Sequence, residues 1–334
     1  MKAVGYTKSL PIDAPGALVD LALPDPAPGP RDLLVEVRAI SVNPVDYKVR
    51  KRVDPEGTPK VLGFDAAGVV RAVGAEVTLF APGDAVFYAG DISRPGTNAE
   101  LHLVDERIVG PKPASLSFAE AAALPLTAIT AWEALFDRLS VPREAPGCLL
   151  VIGGAGGVGS IAVQLARQLT NLTVVATASR DETRAWVREL GAHHVIDHRA
   201  GLVAQHRALG VGDPGFIFST THTDTHWPAI VELLAPQGRV ALIDDPEPID
   251  VRMIKRKAGS LHWEFMFTRP MFATPDMIEQ HRLLAEVARL VDAGVLRTTL
   301  AENFGAISAA NLVRAHALLE TGRARGKIVL EGWR

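Results

Sequence analysis

Ten residues in the middle of the chain, VIGGAGGVGS (151–160), restrict what it can fold into more than any other stretch. Gly154, Gly156 and Gly159 satisfy G-x-G-x-x-G, a pattern that says little alone. Here the surroundings agree with it. CLLVI (148–152) is a short continuous apolar run, as expected of a parallel strand buried on both faces. A helix is predicted from residue 157, with Ile161, Leu165 and Leu169 on one stripe. TVVAT (173–177) reads as the next strand. Glycine permits the tight turn and a close backbone approach. Gly154, Gly156, Gly157, Val158 and Gly159 are therefore candidates to hold a pyrophosphate at the positive end of the helix.

The same alternation continues. A helix over 182–190 stops at Gly191, and HHVID (193–197), GFIFS (215–219) and GRVALI (238–243) are further strands. Between the last two lies a helix carrying Ile230, Leu233 and Leu234. Alternating β and α units predict an α/β fold with a doubly wound parallel sheet. The first 125 residues follow another grammar. LLVEVRA (33–39), AGVVRAV (67–73) and DAVF (84–87) sit between Pro- and Gly-rich turns and predict a compact, mostly β domain. Helices are expected over 118–124, 127–139, 276–293 and 308–321, and KIVL (327–330) is a last strand.

Composition narrows the function classes. With 35 basic and 38 acidic residues in 334, the formal charge of −3 gives no electrostatic reason to expect nucleic acid or an anionic membrane as a partner. One cysteine, Cys148, excludes an internal disulfide framework and a multi-thiolate zinc site. No apolar run has the length of a membrane span or of a signal-peptide core, so a cytoplasmic protein is expected.

The end of the second strand bears on which dinucleotide is held. An NAD site usually places Asp or Glu there for the ribose hydroxyl. This chain has Ala178, then Ser179 and Arg180, with Arg184 a turn later. A hydroxyl and guanidinium groups suit a 2′-phosphate, so NADPH is the expected cofactor. The competing reading makes Arg180 and Arg184 a solvated helix face paired with Asp181 or Glu182.

Four motifs in order, SVNPVDYKVR (41–50), LGFDAAGVV (62–70), LPLTAITAWEAL (124–135) and the glycine loop, make the sequence resemble the medium-chain dehydrogenases/reductases. Within them it resembles the zinc-independent quinone oxidoreductase, or zeta-crystallin-like, branch. KRKAGSLHWEFMFTRPMF (255–272) is similar to the subfamily labelled zinc-type alcohol dehydrogenase-like. The resemblance implies a Rossmann domain over 126–268 and a GroES-like catalytic domain over 1–125 plus 269–334, with substrate and nicotinamide meeting between them. It also implies a homodimer.

By the same resemblance, Asn43 lies at the substrate wall and Thr130, Ile243, Phe265 and Phe267 lie along the nicotinamide. His198 and Arg323 are placed near the 2′-phosphate. Relatives carry a tyrosine one position after Tyr47, where this chain has Lys48, so both are candidates to meet an oxyanion or donate a proton. Zinc-dependent relatives have Cys at Asn43, His-Glu at Phe64-Asp65 and a third ligand near Leu126; of these positions only Asp65 retains a ligand, and no metal is expected. The pair His222 and His226 has i, i+4 spacing, but Trp227-Pro228 points to a helix start there. The expected activity is hydride transfer from NADPH to a quinone or activated alkene such as an enone. A zinc-dependent alcohol dehydrogenase and a non-enzymatic NADPH-binding protein, RNA-binding or structural, are the alternatives.

Overall fold

The computed structural model describes residues 1–144 and 146–333. Its contacts divide the chain into two units, Met1–Leu126 with Phe267–Arg334, and Thr127–Met266. The first stretch contains β1 (Lys2–Tyr6), β2 (Val19–Ala22), β3 (Asp32–Val42), α1 (Pro44–Arg52), β4 (Lys60–Val61) and β5 (Ala66–Val73). It continues with β6 (Ala85–Tyr88), β7 (Leu101–Asp105), β8 (Val109–Pro111) and α2 (Phe118–Ala122). Residues of β3 alternate between buried and half-buried along most of its length, as a strand with one core face must.

Helix α1 departs from the mostly β expectation for this region, and its local chemistry explains it. Asn43 is extended, Pro44 has its φ preset at the first helical position, and the Asp46 carboxylate accepts the Asn43 N–H at 2.7 Å. Arg50, Lys51 and Arg52 fill the last turn, where cations suit the helix dipole.

The middle of the chain runs α3 (Pro125–Trp132), β9 (Gly147–Ile152), α4 (Gly157–Leu169), β10 (Leu172–Thr177), α5 (Asp181–Glu189), β11 (His194–Ile196) and α6 (Leu202–Ala208). Then come β12 (Phe216–Ser219), α7 (Thr223–Leu233), β13 (Arg239–Leu242) and β14 (Ser260–Trp263). The six strands form one sheet in the order β11-β10-β9-β12-β13-β14, every neighbouring pair parallel. Counting from β9, that order is 3-2-1-4-5-6, the doubly wound arrangement of dinucleotide-binding sheets, whose ligands sit at the carboxyl ends of the strands. The sequence predicts one helix over 127–139. Instead α3 stops at Trp132, and Glu133–Arg138 winds as a wider π-helical turn.

The chain returns to the first unit through α8 (Thr268–Met271), α9 (Glu279–Asp292), β15 (Leu300–Asn303), α10 (Ala309–Glu320) and β16 (Lys327–Glu331). Strand β16 pairs antiparallel with β3, so the end of the chain completes a sheet of order β15-β16-β3-β5-β6-β8, with β7 also on β3. A smaller sheet, β2-β1-β4, completes the strand set. No helix among the described residues is long and apolar enough to cross a membrane.

Candidate functional site

The glycine loop joins β9 to α4 in the second unit. Gly153 has φ +83°, and a Cβ there would lie 2.3 Å from Thr220 Oγ1. Its N–H donates to Thr177 Oγ1 at 3.0 Å, tying the loop to the end of β10. The G-x-G-x-x-G pattern passes over this residue; the doubled glycine directly after an apolar strand was the available signal. A Cβ on Gly154 would stand 2.9 Å from that of Ala176, and one on Gly159 would stand 2.2 Å from the Gly153 carbonyl oxygen. Gly156 is the N-cap, extended at φ −71° and ψ 174°. Gly157 and Val158 open the helix, where backbone N–H groups have no partner within the helix. The loop is thus closely fitted to its two strands and presents a helix N-terminus.

At the tip of β10, Ser179 and Arg180 are half-buried. Arg180 Nε pairs with Glu182 at 2.8 Å, the competing pairing raised by the sequence. The Arg184 guanidinium turns back to the Ala178 carbonyl at 3.5 Å and that of Val195 at 3.4 Å. A third arginine, missed by the sequence argument, belongs here: Arg199 donates to the Ser179 carbonyl at 2.6 Å and pairs with Asp197. Arg199 follows β11, far from the fingerprint, so only the strand order brings it in. His198 is half-buried with its ring centroid 5.9 Å from that of His226, and desolvation holds its pKa below the ordinary value. His222 is the N-cap of α7, so the His222 and His226 pair stands at a helix start.

Of the other nucleotide candidates, Thr130 is buried on α3, Ile243 is half-buried just past β13, and Phe265 is 48 % exposed just past β14. These three belong to the second unit. Phe267 belongs to the first unit, where it is buried edge-on to Phe64 with centroids 5.3 Å apart. Arg323 is an exposed residue of the turn after α10.

Asn43 and Asp65 lie in the interior of the first unit rather than at an open wall, at 1 % and 0 % exposure. The Asp65 carboxylate accepts from Ser41 Oγ at 2.8 Å, Asn43 Nδ2 at 2.7 Å, the Leu126 N–H at 2.7 Å and Lys327 Nζ at 2.9 Å. Asn43 Nδ2 also reaches the Phe64 carbonyl at 3.4 Å, and its Oδ1 accepts from Lys327. Lys327 donates besides to the Val42 carbonyl at 3.0 Å. Neither amide nor carboxylate is therefore turned outward for a ligand. Tyr47 and Lys48 stand half-buried on α1, with the Lys51 ammonium 5.3 Å from the Tyr47 ring centroid.

The same network tests the donor set for zinc. The positions that would carry ligands hold Asn43, Phe64, Asp65 and Leu126. The one carboxylate among them is saturated by four donors, one of them a buried ammonium. These residues do not fit a catalytic zinc, which needs three N, S or O ligands and an open position. Among the described residues no group of three or more His, Cys, Asp or Glu could hold a metal ion. A cavity of about 140 Å³ in the first unit also has arginines in its wall. Arg94 and Arg107 there are already paired with Asp32 and Asp105 at 2.8 Å.

Residues 29–129 match the alcohol dehydrogenase GroES-like domain family, and residues 190–330 match the zinc-binding dehydrogenase family. A zinc-type alcohol dehydrogenase-like protein of Staphylococcus aureus is 42 % identical over 99 % of both chains. The chain belongs to the zinc-type alcohol dehydrogenase-like proteins, within the medium-chain dehydrogenase/reductase superfamily. A solved Rhizobium etli member, provisionally named a zinc-dependent alcohol dehydrogenase, is 64 % identical and covers 100 % of this chain and 98 % of its own, at a TM-score of 0.97. The quinone oxidoreductase of Coxiella burnetii is 27 % identical over 99 % of both chains, with a TM-score of 0.80. A mycobacterial protein solved with NADPH is 26 % identical over 99 % of this chain and 100 % of its own, with a TM-score of 0.85. As a family member the protein is an oxidoreductase, built from a Rossmann-like domain and a GroES-like domain.

Proposed function

We propose that this protein is an NADPH-dependent, zinc-independent reductase of quinones or activated alkenes. The observation that carries the cofactor choice is the end of β10, which offers Ser179, Arg180 and Arg199 where a carboxylate would favour NADH. The N–H groups of Gly157, Val158 and Gly159, at the start of α4, would hold the pyrophosphate, while Gly154 and Gly156, whose N–H groups donate to the Thr177 and Gly153 carbonyls, would shape the loop beneath it. Arg180 would exchange its exposed Glu182 partner for the 2′-phosphate, with Arg184 adding charge and the His198 ring packing beside it as a neutral donor or acceptor. Thr130, Ile243 and Phe265 would orient the ring.

When bound, NADPH supplies the hydride. The chain's own work is to fix geometry, stabilise charge on the acceptor oxygen and deliver a proton. Lys48 and Tyr47 take the last two roles. Asn43 and Asp65 act as positioning residues, holding the start of α1 through the Lys327 network. The saturated Asp65 carboxylate supports the metal-free reading. A homodimer belongs to the same proposal, and sedimentation of the purified chain tests it.

The test is oxidation of NADPH, beside NADH, against a panel of ortho- and para-quinones, enals and enones, with and without a chelator. Chelator-insensitive oxidation that prefers NADPH is expected. Activity toward alcohols that a chelator abolishes, together with one bound zinc per chain, would overturn the reading.

A further inference from the structure

Two buried carboxyl groups play no part in the reading above. Glu133 opens the π-helical turn that follows α3, and Glu264 follows β14 directly. They are 1 % and 3 % exposed, and their side chains are hydrogen-bonded to each other. Two carboxylates cannot make that bond; one must carry a proton. Arg138, at the end of the same turn, donates to Glu264 Oε2 at 2.9 Å. Glu264 Oε1 receives no donor from the described residues, as one expects where the shared proton is the missing link. Burial first, and the Glu133 charge second, push the Glu264 carboxyl far above the usual range.

The pair joins two segments that meet nowhere in sequence. Glu133 lies three residues beyond Thr130, and Glu264 lies between Trp263 and Phe265. The Glu264 N–H donates to the Leu242 carbonyl at 3.0 Å, so the segment runs beside the carboxyl end of β13, one residue from Ile243. On the other side, Arg239 of β13 donates to the Leu139 carbonyl at 3.0 Å and fixes the end of the π-helical turn. Such turns recur at functional sites because they offset a helix face by one residue. Here the offset brings a glutamate against the sheet.

We propose that Glu133 and Glu264 share one proton and thereby clamp Thr130 and Phe265 in place, so that losing the proton loosens the nicotinamide pocket. The cofactor part rests on the function proposed above; the clamp itself does not. Arg138 in the turn faces Glu264, and His262 on β14 lies near both Arg138 and Arg239 of β13. None of these carries a proton between two carboxyls. Deprotonation places two negative charges side by side in a dry site, and separation of the segments relieves the repulsion.

The experiment uses the full chain and its Glu264→Gln and Glu133→Gln variants, in which an amide replaces the shared proton with a fixed donor. Two signals are followed from about pH 7 to about pH 9.5. One is the dissociation constant for NADPH. The other is the emission of Trp263, 55 % exposed and adjacent to Glu264, isolated by difference from a Trp263→Phe variant. In the parent chain the constant should rise about tenfold and the Trp263 emission should move with it. Both Gln variants should keep the neutral-pH affinity and lose both transitions. A transition of the same size and midpoint in the Gln variants, or no transition in the parent chain, overturns the proposal. If NADPH fails to bind at any pH while the Trp263 transition is present and abolished by Glu264→Gln, the cofactor reading fails and the clamp stands.

Discussion

Arg180 shows how one side chain can serve two states. Its partner, Glu182, is 58 % exposed, so the pair is weak and an incoming phosphate dianion competes with it easily. Arg180→Ala is expected to weaken NADPH binding about tenfold or more and to leave NADH almost untouched, read by titration with each cofactor. Equal losses for both would remove the phosphate assignment. Lys327 is the opposite case. Its ammonium is buried and bonded to Asp65, Asn43 and a carbonyl, with nothing to exchange for. Lys327→Met leaves the Asp65 charge buried without its cation and should cost about 3–5 kcal/mol in unfolding experiments. Adding Asp65→Asn to that variant should recover part of the loss, because the uncompensated charge is gone.

At the scale of elements, the strands and helices with a strong period were legible. LLVEVRA, AGVVRAV, CLLVI and TVVAT all lie on strands, GFIFS does so from Phe216 onward, and α4 begins at the predicted residue. What escaped was structure decided by neighbours. Helix α1 is short and polar, and its stability comes from Pro44 and the Asp46 contact rather than from periodicity. The π-helical turn looks like ordinary helix in sequence, because its partners lie far along the chain: Arg138 reaches Glu264, and Arg239 holds the Leu139 carbonyl. The candidate site divides the same way. The glycine loop is contiguous and was readable; the Asp65 network draws on residues 41, 43, 126 and 327 and was not. Gly153 is a loop position with little tolerance, in conformation and in space. Gly153→Ala, at φ +83° and against Thr220, should abolish cofactor binding measured by fluorescence enhancement, while a distant surface Gly→Ala control keeps it.

The whole molecule should respond to acid through His316. This ring is fully buried on α10, and neither nitrogen has a partner among the described residues. Desolvation, and then the Arg50 charge, push its pKa down to about 3. The folded state therefore prefers the neutral ring. That contribution is complete above the ordinary histidine value of about 6.5 and is lost progressively as pH falls toward about 3. A pH series of melting temperatures for His316→Leu should be flatter over that window than the parent series.

The return of the chain to its first unit has a consequence for synthesis. Asp65 leaves the ribosome 262 residues before the lysine that neutralises it, and β3 waits longer still for β16. The middle unit, by contrast, is continuous from Thr127 to Met266. A nascent chain paused after residue 300 should already hold a protease-resistant middle unit, while the segment before it is still digestible. Maturation would then run from the centre outward, the reverse of the usual vectorial order, in which the N-terminal domain folds first.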